Sequence, residues 1–175
     1  MRRLVAVVVL ASIPLVSVHP VGAATRPCAP GEPHTCIVDN LADLDGAVLH
    51  GCGFPVQIGV VDSKEYVIHD SFLADGTEVQ RVTGQLVLRF TNLDSGESIV
   101  ENVSGPSTST LSPDGSGSFE GQGRSWLAFG PRGQGNTGEP GLVFTDGNVI
   151  VAFTGHVATS FSLSGTQVNG CALLS

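Results

Sequence analysis

Between residues 81 and 91 the chain alternates. Val82, Leu86, Leu88 and Phe90 are apolar, Arg81, Thr83, Gln85, Arg89 and Thr91 are polar, and only Val87 breaks the rule. A period of two buries one face of a β-strand and leaves the other wet. Asn92, Asp94, Ser95 and Gly96 then supply turn chemistry, and Ile99, Val100 and Val103 resume a β-branched run. The pattern predicts a hairpin over residues 81–105.

The rest of the chain after residue 53 repeats this grammar. Phe54, Val56, Ile58 and Val60 alternate with Pro55, Gln57 and Gly59, and Asp62-Ser63-Lys64 predicts a turn before a short strand over residues 65–70. Asp75-Gly76 predicts a tight turn. A strand follows over residues 106–110, a turn at Pro113-Asp114-Gly115, and a strand over 118–129 carrying Phe119, Trp126, Leu127 and Phe129. A Gly/Pro-rich loop (130–141) precedes a strand at Leu142-Val143-Phe144, a turn at Asp146-Gly147-Asn148 and a strand over 149–154. That last strand is apolar on both parities, which predicts a doubly covered position. Val157, Thr159, Phe161 and Leu163 alternate again until Gly165 breaks the run.

About eight to ten short strands with almost no helix predict one all-β domain over residues 54–175, an antiparallel β-sandwich or a small β-barrel. Residues 24–53 read differently. Pro27, Pro30 and Pro33 mark an irregular segment, in which Asp39 would cap a single helical turn ended by Gly46. Ahead of it, Arg2 and Arg3 precede an apolar stretch over residues 4–18, and Val21-Gly22-Ala23 offers small residues for cleavage. Residues 1–23 read as a secretory signal peptide, and about 15 apolar residues are too few to span a bilayer of ~30 Å. The expected product is secreted and extracellular, with no membrane insertion after cleavage.

Charge narrows the partners. The whole chain carries a net charge of −8. The leader holds two of the 8 basic residues and none of the 16 acidic ones, so cleavage leaves −10. The remaining cations (Arg26, Lys64, Arg81, Arg89, Arg124, Arg132) are scattered, which argues against nucleic acid. All 4 cysteines follow the leader, which in an exported chain predicts disulfides. Three pairings are possible. The favoured one joins Cys28 to Cys36 across a short loop and Cys52 to Cys171 across most of the domain.

The framework Cys52-Gly53-Phe54, Asp75-Gly76, Thr91-Asn92, Gly96-Glu97-Ser98, Val103-Ser104-Gly105-Pro106 and Cys171-Ala172-Leu173-Leu174 resembles small secreted all-β proteins of unknown function from actinobacteria. The resemblance covers about residues 52–174. It implies the scaffold and no activity.

Candidate chemistry is sparse. Gly133-Gln134-Gly135-Asn136-Thr137-Gly138 fits a dinucleotide-loop spacing, but Glu139-Pro140-Gly141 prevents the helix such a loop needs, so no cofactor is expected. Asp39, Asp43 and Asp45 lack the later acid of a calcium loop, and no metal is expected. His69, Asp70 and His156 are the titrating candidates for a ligand site, but no nucleophile elbow accompanies them. Trp126 could stack on a ligand, although core filling is the better reading. Glu65, Glu101 and Glu120 are expected to face solvent. A disulfide-tied β scaffold with glycine-rich loops and no convincing catalytic set favours a non-catalytic extracellular β module that binds a small ligand, a glycan or a protein. The alternatives are a hydrolase working from a barrel mouth and a structural envelope protein.

Overall fold

A computed structural model describes residues 9–10, 44–130, 140–155 and 157–175, without the side chains of residues 9, 10 and 70. Among them the chain forms nine strands: β1 Val9–Leu10, β2 Val48–Leu49, β3 Val56–Phe72, β4 Glu78–Asn92, β5 Ser98–Asn102, β6 Ser107–Leu111, β7 Ser116–Ala128, β8 Leu142–Thr154 and β9 Val157–Asn169. One turn of helix, α1 (Gly170–Leu173), closes the chain. All pairings are antiparallel, in the order β2-β3-β4-β6-β7-β8-β9, with β5 on β4 and β1 on β7. The result is one curled half-barrel sheet.

The alternation in β4 sets the facing. Val82, Leu86, Leu88 and Phe90 are buried, while Arg81, Gln85 and Arg89 are exposed. The apolar face therefore points into the half-barrel, and the polar face lines no lumen.

Two predicted turns and one predicted strand break are instead strand interiors. Asp62-Ser63-Lys64 lies inside the 17-residue β3, which pairs with β4 along its whole length. The register shifts between Val60 and Asp62, so Val61 is the extra residue of a β-bulge and is 49% exposed. Asp45 Oδ1 accepts a hydrogen bond from Val60 N at 2.8 Å, supplying the edge partner that the bulge lacks. Past the bulge the inward parity changes: Val56 and Ile58 are buried before it, Glu65 and Val67 after it.

Asp146-Gly147-Asn148 and Gly165 likewise lie within β8 and β9. Gly123, Gly147 and Gly165 pair with one another in a single row across β7, β8 and β9, all at positive φ. A Cβ on Gly147 would strike the Ser164 carbonyl, and one on Gly165 the Asp146 carbonyl. Only glycine permits that backbone and that approach. The row acts as a crease. The Phe129 and Phe161 rings meet at 5.8 Å, although their sheet rows, level with Gly141 and Val151 on β8, would lie ~33 Å apart in a flat sheet at ~3.3 Å per residue.

Folding at the crease explains why residues 125–128 and 142–145 are buried on both parities. One face of this upper segment presents Trp126 and Phe144 to Phe90 of β4, with ring separations of 5.5 and 5.0 Å. The other joins Leu127 and Val143 to Val149, Val151 and Phe153 in a second core. The double burial predicted for residues 149–154 therefore falls one segment earlier, and Ile150 is 47% exposed.

The two ends of the sheet are tied without hydrogen bonding to each other. Cys52 and Cys171 form the expected disulfide, and Leu174 is buried in the first core. Asn92 donates from Nδ2 to the Leu174 carbonyl at 2.8 Å, while its Oδ1 accepts from Asp94 N. Gly46 has φ +87 directly after the short helical turn at Leu44, as an ended turn requires. Cys28 and Cys36, the predicted cap Asp39 with the rest of its expected turn before Leu44, and residues 133–138 lie outside the described residues. No helix among the described residues is long and apolar enough to cross a membrane.

Candidate functional site

The sheet splits between β5 and β7. Strand β5 covers the upper half of β4, from Val87 to Thr91, and β6 covers the lower half, from Glu78 to Val82. The link between them is fastened to β4 by Val103 N donating to Leu86 O and by Ser104 Oγ accepting from Leu86 N. Only β6 reaches β7, ending at the pair Ser107 and Gly121. Above that pair β7 is bonded to β8, and β1 takes only Leu127 and Ala128 on the other side.

The split leaves a groove of about 220 Å³ beside the crease. Glu101 and Val103 form one wall, and Arg124, Phe144, Asp146 and Val168 form the floor and the other wall. Arg124 Nε lies 3.8 Å from Asp146 Oδ2, across neighbouring strands. Thr145 also borders the groove, but its Oγ1 is buried away from it, with no hydrogen-bond partner among the described residues.

A chamber of about 20 Å³ adjoins the groove and shares Val103, Arg124 and Ser125 with it. That volume admits one water-sized group. Glu65 is part of its wall, together with Leu86, Phe119 and Gly121. Glu65 pairs with Gly84 of β4. Gly84 has φ +133, and a Cβ there would strike the Lys64 carbonyl. Glu65 is 6% exposed, and burial alone pushes its carboxyl up to about 7. The expectation that Glu65 faces solvent is thus overturned by the bulge at Val61, which turns residue 65 inward. Glu101 is half-buried on the groove, and Glu120 is exposed.

The candidates expected from the sequence do not converge. His69 is exposed on β3, with Nε2 3.0 Å from Ser71 Oγ, because residues two apart share a strand face; neither lines the groove or the chamber. The side chain of Asp70 and all of His156 lie outside the described residues. Trp126 is fully buried against Phe90, a core position, although its Nε1 has no acceptor among the described residues. Among the described residues no three His, Cys, Asp or Glu side chains group as a metal site, and Asp45 is engaged with Val60.

Comparison with known proteins finds no matching family, no matching curated protein and no matching solved structure.

Proposed function

We propose that this chain is an exported, non-catalytic β module that holds a small ligand in the groove between β5 and β7. The observation that carries the reading is the split of the sheet, which leaves a concave surface, part polar and part apolar, beside the core. Its volume of about 220 Å³ is below the ~300–1,000 Å³ usual for drug-sized ligands. The occupant is therefore a compact molecule rather than a glycan chain. The disulfide and the apolar leader support export.

Native mass spectrometry of protein collected from the medium of its host tests both parts. The expected species starts near Ala24 and retains a small molecule, and Val168→Arg, which fills the groove, releases it. A ligand-free wild type, or a Val168→Arg variant that retains the ligand, overturns the groove. Intact mass including residues 1–23 overturns the cleavage.

A further inference from the structure

We propose that the ligand of this groove is a primary alkylamine, whose ammonium head enters the adjoining chamber and pairs with Glu65 while its stem lies over Phe144 and Val168. The inference rests on the groove reading above and specifies its chemistry.

Size is the first argument. The chamber, at about 20 Å³, has room for one group the size of water, and an –NH₃⁺ head is such a group. A trimethylated head is not. Charge is the second. Glu65 is buried, and among the described residues no cation or hydrogen bond offsets its desolvation. A buried carboxylate is costly unless paired, so a cation is the partner it favours most. The charged residues at the mouth are Glu101, Asp146 and Arg124, and Arg124 faces Asp146 at 3.8 Å. The acidic balance of the whole chain, −8, draws cations toward it.

Protonation follows from the same geometry. Among the described residues Arg124 is the one other titratable side chain on the chamber wall; the remaining elements present Leu86, Val103, Gly105, Pro106, Ser107, Phe119 and other uncharged residues there. An entering ammonium therefore favours the charged form of Glu65 and expels its proton. Binding tightens as pH rises toward about 7.

Titration calorimetry of the mature chain with n-pentylamine tests the proposal. Pentylamine is expected to bind, with proton release at pH 6 that scales with buffer ionisation heat. Pentan-1-ol and pentyltrimethylammonium should bind about tenfold more weakly or worse. Glu65→Gln should lose about tenfold, with folding checked by its melting curve. The ligand-side comparison stands whether or not that variant folds. 1,5-Diaminopentane and a lysine-containing tripeptide present the same head, and the tighter of the two identifies a free polyamine or a lysyl side chain as the source. Equal binding of pentylamine and pentyltrimethylammonium, or no binding of pentylamine, overturns the proposal. If a neutral ligand is nonetheless found in the groove by mass spectrometry, the amine inference fails and the groove reading stands.

Discussion

Single residues hold the most testable chemistry. Leu88 is fully buried and its neighbour Arg89 is exposed. Leu88→Ala should destabilise by about 2–5 kcal/mol and Arg89→Ala by less than about 1 kcal/mol in denaturant unfolding. Asn92 both donates to the Leu174 carbonyl and accepts from the hairpin turn. Asn92→Asp keeps the acceptor and loses the donor, so it should cost at least about 1–3 kcal/mol, because a buried carbonyl is orphaned. Glu65 makes stability depend on pH. Its folded pKa, about 7, lies above the ordinary 4.5, so the folded state holds the proton more tightly. Its contribution is greatest below pH 4.5 and is lost as pH rises to about 7, by on the order of 3 kcal/mol. Asp75 and Asp114 act oppositely: hydrogen bonds from Thr77 and Ser116 hold their carboxyls low, so their contribution is lost only at acid pH. Glu65→Gln should flatten the wild-type decline between pH 4.5 and 7 in melts across that range; an unchanged slope would show that the decline comes from elsewhere.

At the scale of elements, the sequence was most legible where alternation is unbroken. β4 could be read with its facing, and Asp75-Gly76 and Pro113-Asp114-Gly115 turn where their chemistry says. It was least legible where turn-forming residues sit inside a strand. Asp62-Ser63-Lys64, Asp146-Gly147-Asn148 and Gly165 carry turn composition, yet pairing with a long neighbour overrides them. Local composition cannot distinguish a reversal of the chain from a bulge or a bend, because both need the same backbone freedom. The burial of Glu65 was missed for this reason. The signal was present in the doublet Val60-Val61, which interrupts the alternation, but Tyr66 and Ile68 offered an equally apolar opposite parity. Gly147→Ala should destabilise by more than the ~1 kcal/mol of ordinary glycine replacements, since a Cβ there meets backbone. A melting shift no larger than that of Gly96→Ala, where a Cβ meets open space at a positive φ, would contradict the crease.

For the whole molecule, the all-β class and the long-range disulfide were legible, whereas the half-barrel was not: closure depends on how far the sheet coils, which no local pattern encodes. Cys52 and Cys171 are 119 residues apart. In the chain-entropy model a loop of that length contributes about 4–5 kcal/mol. The Cys52→Ser/Cys171→Ser variant should unfold at lower denaturant by up to that amount; an unchanged midpoint would mean that Leu174 and Asn92 hold the sheet ends together unaided. The groove and chamber were invisible to sequence reading because they arise from an absence, the failure of β5 to reach β7.

Ordinarily strands fray from their tips inward, so amide protons near the centre exchange last. The glycine crease reverses that order. Gly123, Gly147 and Gly165 bring no side chains of their own to the core, so opening there gives up little apolar contact from these residues. Hydrogen exchange should therefore show a band of weak protection crossing the middle of β7, β8 and β9, with slow amides on both sides of it. Such a band divides the sheet into two cooperative units that breathe about one line, and the groove lies beside that line.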